Sequence, residues 1–307
     1  MKTYEHKHDY ERLGHLIQDR EPTYQIYDND LKYKKYKYID TDRILDYTDT
    51  EDRDTLNYRL KESQKDKEMT LDLCHLNLST LPQNLSSNTF YLFLTDNLFE
   101  NINDLTYCKH LRVLDVYNNK LTHLPKLPTS IEEVSCRQNN LISIDTLKYC
   151  PNIKRLDCSN NKLLNISTLH SLEILICDNN NLTELPILPN IIKLNCNSNK
   201  INELNNLKNT NTLRILECDN NKLTSLPEFT SIEELYCNNN KINQLSNLNR
   251  IRILHCYENP LKLIPFYNTL KELLCDYGNI GLSKLYANKI IDKKLYKDDS
   301  RVLFMFE

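Results

Sequence analysis

The sequence predicts an α/β fold of the solenoid type, in which short parallel β-strands stack into one long sheet. The main observation is a recurring pattern, L-x-x-L-x-C-x-x-N-x-L, whose clearest copy spans residues 213–223. Regular copies begin 19–22 residues apart, and a unit this short cannot bury its own apolar face without a neighbour. Repeats of this length leave no room for a full helix, so extended or 3₁₀ return segments are expected.

Composition argues against several classes of partner. The 39 Lys and Arg residues nearly balance the 42 Asp and Glu residues, so no overall field attracts nucleic acid or an anionic membrane. Without an apolar leader or a run of ~20 apolar residues, we expect a cytoplasmic protein that makes no membrane contact. Three glycines cannot build a phosphate-binding loop, so neither a cofactor nor a small-molecule substrate is expected.

Residues 1–68 form an N-terminal extension that lacks the repeat. Apolar spacing predicts one short helix over residues 6–17 and a second, charged helix over residues 56–67. Between them, residues 32–38 (KYKKYKY) alternate bases with aromatic rings, which is a pattern that could bind single-stranded nucleic acid. Aspartates on both sides would repel phosphates, so a packed or solvated capping segment is favoured. The nearby histidines lack partners at metal-ligand spacing, and no metal site is predicted.

The repeats occupy residues 69–280 and number about eleven, counting an atypical first unit. Each regular unit has an asparagine at a predicted bend, where its amide can pair backbone groups that are otherwise buried without partners. We call this column the asparagine ladder. It comprises Asn97, Asn119, Asn139, Asn161, Asn180, Asn199, Asn221, Asn240 and Asn259.

A second column places one cysteine at the same inward position of successive repeats. Parallel strands lie ~4.8 Å apart, which is too far for relaxed disulfides, and a straight row cannot surround zinc tetrahedrally. Structural packing of reduced thiols is therefore predicted, and the odd total of eleven cysteines also favours a reducing compartment. This cysteine ladder comprises Cys136, Cys158, Cys177, Cys196, Cys218, Cys237, Cys256 and Cys275.

The pattern changes after the last repeat, in residues 281–307. Apolar residues between 282 and 293 fall at helical spacing and predict a C-terminal capping helix. An open solenoid end exposes its core, so this helix and the apolar tail at 302–306 are expected to cover the last repeat. A docking peptide is the second interpretation of the tail.

Residues 71–280 resemble the leucine-rich repeat family, and the repetition makes the motif specific. The resemblance implies a curved horseshoe with a parallel sheet on its concave face, which is a surface suited to binding. Residues 182–189 (LTELPILP) are similar to the short repeats of bacterial effectors, some of which carry a ubiquitin-ligase domain. That domain has no counterpart here, since residues 281–307 contain no cysteine for thioester chemistry. The Asn-, Ile-, Lys- and Tyr-rich composition resembles repeat proteins of large amoeba-infecting viruses and their hosts.

The resemblance implies a non-catalytic scaffold that binds a protein partner on its concave face. His255 has no evident nucleophile or carboxylate beside it in the repeat pattern, so no catalytic residue is predicted. The alternative is an adaptor or substrate-recognition subunit of a ubiquitin-ligase assembly, recruited through residues 1–68. Aromatic and arginine side chains favour protein hot spots, and the predicted contact residues are Tyr117, Arg137, Arg155, Tyr236, Ile253, His255 and Tyr257.

Overall fold

A computed structural model describes residues 52–64, 69–83, 85–276, 281–282, 290–296 and 301–306. The chain divides into two compact units, Met1–Thr50 and Glu51–Glu307, and only the second contains described residues. The predicted first helix, the KYKKYKY tract and most of the segment assigned to ubiquitin-ligase recruitment therefore lie outside the described residues. None of the helices in the described ranges has the length and apolar character needed to cross a bilayer.

One helix precedes a series of short strands. In chain order the elements are α1 (Asp52–Ser63), β1 (Thr70–Asp72), β2 (Tyr91–Phe93), β3 (Val113–Asp115), β4 (Glu133–Ser135), β5 (Arg155–Asp157), β6 (Ile174–Ile176), β7 (Lys193–Asn195), β8 (Ile215–Glu217), β9 (Glu234–Tyr236), β10 (Ile253–His255), β11 (Leu263–Ile264), β12 (Glu272–Asp276), β13 (Gly281–Leu282), β14 (Ile290–Tyr296) and β15 (Arg301–Phe306).

The predicted solenoid is confirmed. Strands β1–β10 and β12 pair in parallel, each with the next, so that equivalent residues align across the sheet, as Leu235, Leu254 and Leu273 do. In most of these strands the central side chain is buried and its two neighbours are half-buried. The central residues and the cysteine ladder join one continuous apolar core. Successive side chains of a strand point to opposite faces, so the flanking residues form the outer face.

The return segments are short, as the repeat length predicts. Two of them contain 3₁₀ helices, Asp145–Tyr149 and Asn205–Leu207, and each contributes a buried leucine to the core. β11 and β13 form a separate two-stranded sheet on the return side of the last repeats.

The asparagine ladder connects each repeat to the one before it. The Asn180 amide nitrogen donates to the carbonyl of Cys158 in the previous repeat at 3.0 Å and to that of Cys177 in its own at 3.2 Å. Its amide oxygen accepts the Leu163 N–H at 2.9 Å. Equivalent bonds form at all nine ladder positions, from Asn97 to Asn259.

The residue before each ladder asparagine has a left-handed backbone, with φ between 49° and 56°. Glycine is the usual residue for this conformation, but Asn and Asp tolerate it better than other residues because their short side chains bond locally. Asparagine occupies five of these nine positions: Asn118, Asn160, Asn179, Asn220 and Asn239. This use of asparagine explains how a chain with three glycines turns so often.

We expect Asn180→Ala to lower the free energy of unfolding by about 3 kcal/mol or more, because each buried backbone group left unpaired costs ~1–3 kcal/mol. Asn180→Asp keeps the acceptor for Leu163 but loses the donors, and it should also destabilise. Urea unfolding followed by circular dichroism measures both.

Asn190→Ala is the matched control for this prediction, since Asn190 is exposed and its amide makes one bond, to the His170 carbonyl at 2.8 Å. Its cost should stay below ~1 kcal/mol. Equal destabilisation by Asn180→Ala and Asn190→Ala would show that the ladder bonds do not hold the repeats together.

All eight residues of the cysteine ladder are buried free thiols. Cys218 and Cys237 donate weak S–H bonds to the carbonyls of Tyr236 and His255, at 3.3 and 3.5 Å. Burial raises the pKa of every ladder thiol, that of Cys275 to about 12, so the nucleophilic thiolate is scarce at neutral pH. Within the described ranges, no three His, Cys, Asp or Glu residues are grouped so that they could hold a metal ion.

In the native protein we expect a thiol reagent to modify Cys74 first, because it is the half-buried cysteine while the other ten are buried. The reaction should be slow, since burial and the charge of Asp72 raise the pKa of this thiol as well. When labelling is repeated at increasing urea concentrations and the modified sites are identified by mass spectrometry, the ladder cysteines should all become reactive over the same range of urea, as the sheet unfolds. Rapid native labelling of Cys196 or Cys218 would contradict the inward position of the column.

The prediction of a C-terminal helix is wrong over residues 290–296, which form β14; residues 283–289 lie outside the described residues. β14 and β15 form an antiparallel hairpin, and β15 pairs with the last parallel strand, β12. The unpaired edge of β12 needs backbone partners, which a helix cannot supply. The predicted apolar tail does cover the last repeat, but as a strand whose alternate residues Val302, Phe304 and Phe306 are buried.

Helix α1 covers the other end of the sheet. Its residues Leu56 and Leu60 pack against the core, and the Arg59 guanidinium donates to the Cys74 carbonyl at 2.9 Å. The charged helix predicted over residues 56–67 is thus present at Asp52–Ser63, beside the first repeat.

Candidate functional site on the strand face

The outer face of the sheet, which we call the strand face, contains three rows of side chains. They come from the first and third residues of each parallel strand and from the residue two positions later, and most are half-buried. Alternation along the strand places these residues on one side of the sheet. From β8 to β12 the rows contain Ile215, Glu217, Asp219, Glu234, Tyr236, Asn238, Ile253, His255, Tyr257, Glu272, Leu274 and Asp276.

Tyr236 and His255 lie side by side on neighbouring strands, as the repeat pattern predicts. Their rings meet edge to face, with centroids 4.8 Å apart and planes at 81°. The Tyr236 hydroxyl donates to the Glu234 carboxylate at 3.3 Å. Burial raises the pKa of Tyr236, so the hydroxyl stays protonated and remains a donor at neutral pH.

The expectation that His255 has no carboxylate beside it is wrong. Its Nε2 lies 2.8 Å from Oε1 of Glu272, and both side chains are about four-fifths buried. β12 aligns Glu272 with Ile253, so the carboxylate reaches His255 diagonally across the strand pair, a geometry that the motif spacing does not reveal. In the part of the chain described, the His255 ring bonds to no hydroxyl or thiol, so this pair lacks a nucleophile.

Tyr257 contacts a residue that sequence reasoning missed. The Arg301 guanidinium carbon lies 4.5 Å above the centre of its ring. β15 brings Arg301 there, because antiparallel pairing aligns it with Asp276 on β12. Residues 302–306 were predicted to be an apolar tail covering the last repeat, and their continuous apolar run does not show which strand they pair with.

Polar side chains link the ends of these strands. Asn197 accepts the Asp219 N–H at 2.6 Å, Asp219 accepts the Asn238 N–H at 2.6 Å, and Asn238 accepts the Tyr257 N–H at 3.1 Å. Burial of Asp219 raises its pKa to about 6, although the bonds from Asn238 act in the opposite direction. These contacts fix the third row of the strand face.

The other predicted contact residues lie elsewhere on the sheet. The Arg137 guanidinium carbon is 5.6 Å from the centre of the Tyr117 ring, and Arg155 is 3.2 Å from the Glu133 carboxylate. Four to six strand steps of ~4.8 Å, or roughly 19–29 Å, separate the members of this group from the strand that contains Tyr236. The seven residues therefore form two patches instead of one.

On the strand face between β7 and β12, some acidic side chains form salt bridges and others do not. Lys193 contacts Glu217 at 3.2 Å, and His255 contacts Glu272. Across the described residues, no Lys, Arg or His lies within salt-bridge distance of Asp219, Glu234 or Asp276. Burial raises the pKa of Glu234, although the bond from Tyr236 and the charges of Lys193 and Arg252 act in the opposite direction.

We expect Asp219→Asn to stabilise the protein above pH 6. The folded pKa of about 6 exceeds the ~3.9 of an unfolded chain, so this group's stabilising contribution is complete below pH ~4 and is lost as pH rises through 6. Removing the ionisable group should add roughly 1–2 kcal/mol to the free energy of unfolding at pH 7.5 and little at pH 4. Asparagine fits, since Asn197 and Asn238 make the same bond.

Denaturant titrations at the two pH values measure this difference, with the exposed Glu184→Gln as the control for charge removal. An equal gain at pH 4 and pH 7.5 would contradict the raised pKa of Asp219.

Comparisons with known proteins were made for sequence and for structure. No family model matches the chain. Human oligodendrocyte-myelin glycoprotein is 42% identical over 77 residues, and the mouse protein is 40% identical over 77 residues. The match covers 24% of this chain and only 18% of the length of each relative.

Solved structures give longer matches at lower identity. A chain from the octameric complex of latrophilin 3, Unc5D and FLRT2, whose FLRT2 part is a leucine-rich repeat domain, aligns with a TM-score of 0.54 at 20% identity. The alignment covers 69% of this chain and 76% of that one. YopM, a leucine-rich effector protein from Yersinia pestis, aligns at 22% identity over 76% of this chain and 90% of its own, with a TM-score of 0.48.

Proposed function

We propose, from the premise that this chain has the leucine-rich repeat fold, that it is a non-catalytic scaffold that binds a protein partner on its strand face. The observation that supports this most strongly is the sheet face itself. Its three rows of half-buried side chains differ from strand to strand, while the core and the asparagine ladder repeat nearly unchanged. Variation confined to one face of a constant frame is how repeat proteins distinguish partners.

The face also meets the physical requirements of a binding surface. Tyr236, His255 and Tyr257 are held by neighbouring side chains before any partner arrives, so little conformational entropy is lost on binding. Tyrosine side chains of this kind often provide a large share of interface energy. A chain of the same fold occurs in the octameric complex with latrophilin 3 and Unc5D, which is a role of the kind proposed here.

We expect the double substitution Tyr236→Ala and Tyr257→Ala to weaken partner capture at least tenfold, since removing a hot-spot side chain costs ~2 kcal/mol or more. Pull-down from lysate with quantitative mass spectrometry compares the variant with the parent chain. Tyr107→Ala with Tyr149→Ala is the matched control, because these tyrosines are 45% and 69% exposed and lie outside the strand face.

Two outcomes would contradict the proposal. The first is a folded double variant that keeps every partner, while deletion of residues 1–51 releases them; binding would then belong to those residues. The second is reproducible turnover of a substrate that is abolished by changing one strand-face residue. Circular dichroism confirms that each variant remains folded.

A further inference from the structure

We propose that the strand face between β8 and β12 receives an arginine-bearing, positively charged peptide segment of the partner. This inference rests on the proposed function and names the chemistry of the partner. The surface, which we call the acidic–aromatic patch, consists of Asp219, Glu234, Tyr236, Tyr257 and Asp276. The remaining steps concern its charge, its rings and its dimensions.

Charge complementarity is the first argument. Two nearby carboxylates of the same face are paired with cations, Glu217 with Lys193 at 3.2 Å and Glu272 with His255 at 2.8 Å. Asp219, Glu234 and Asp276 have no such partner among the described residues, although all three are half-buried. Carboxylates that are partly shielded from water are screened less by salt, so an incoming cation gains more from them than from exposed acids.

The rings supply the second argument. Tyr236 is surrounded by acids: burial raises its pKa, and the negative charges of Glu234, Glu272 and Glu217 raise it further. An aromatic ring bordered by carboxylates attracts a cation through both the ring face and the charges. Guanidinium suits this setting better than ammonium, because it is planar, stacks on aromatic rings and bonds carboxylates with two N–H groups.

Arg301 provides an internal example of the same contact. Its guanidinium lies 4.5 Å over the Tyr257 ring, and Asp276 is its backbone neighbour on β12. Ring and guanidinium therefore already meet at one end of the patch. Tyr236 repeats the ring and the carboxylate one strand away from Tyr257, with Glu234 in place of Asp276.

The dimensions indicate how the arginines should be spaced. Three strand steps separate β8 from β12, and at ~4.8 Å each they span roughly 14 Å, the length of four or five extended residues. Alternate side chains of an extended peptide point the same way and lie ~6.6–6.8 Å apart. Arginine at every second position would therefore present its guanidinium groups on one side of the peptide, toward Tyr236 and the three carboxylates.

The test uses the full chain and a fluorescein-labelled (Gly-Arg)₄ peptide, with binding followed by fluorescence anisotropy. We expect saturable binding that weakens as salt rises and is absent for (Gly-Glu)₄. The triple variant Asp219→Asn, Glu234→Gln and Asp276→Asn keeps the acceptor oxygens that bond the Asn238 and Glu258 N–H groups. It should weaken binding at least tenfold.

The control triple, Glu184→Gln, Glu203→Gln and Glu228→Gln, removes the same charge from exposed positions outside the strand face and should change affinity less than twofold. Equal losses in both triples would overturn the proposal, because binding would then follow net charge alone. Failure of (Gly-Arg)₄ to bind would also overturn it. If the Tyr236→Ala and Tyr257→Ala chain still lost its captured partner in that case, the scaffold function would stand and only the cationic segment would be wrong.

Discussion

Pairing the backbone at each bend is the constraint on which the structure depends. A repeat of about twenty residues must turn sharply after a three-residue strand, and the turn faces the core, where water cannot reach its N–H and C=O groups. The side-chain amide of the ladder asparagine hydrogen-bonds these groups, because it reaches backbone atoms of both its own repeat and the previous one. Because the bonds to Cys158 and Leu163 reach back to the previous repeat while the bond to Cys177 stays within its own, the bend and the stacking of repeats are stabilised together.

The same constraint divides each repeat into positions that maintain the fold and positions that can vary for binding. Inward positions are fixed by packing and the bend by hydrogen bonding, so selection for binding can act only on the outward residues of very short strands. These residues are half-buried among their neighbours and are not free in solvent. A change at one of them therefore alters local contacts, such as the Tyr236–His255 ring pair, without disturbing the core beneath.

Periodicity determines which parts of the molecule are predictable from sequence. The core, the asparagine bends and the inward cysteines recur, so eleven copies reveal their environment before any coordinates are known. The terminal hairpin occurs once, and the few apolar residues between 282 and 293 that predicted a helix suit a strand as well. The contacts of Arg301 and Glu272 were missed for a related reason, since each depends on strand register between segments that no motif connects.

Charge pairing across strands makes the three lone carboxylates informative. Elsewhere on the face, some acids are matched with bases on adjacent strands, both directly, as Glu133 is with Arg155, and diagonally, as Glu217 is with Lys193. Among the described residues, Asp115, Asp157 and Asp178 are not matched in this way. A basic residue on an adjacent strand can therefore neutralise the charge of an acid on this face, and the fold would accommodate a lysine or arginine beside Asp219. Its raised pKa means that the ionised form costs stability at neutral pH. Local rules of this kind are broken mainly at functional sites, where the stability lost is compensated only when a partner supplies the missing charge.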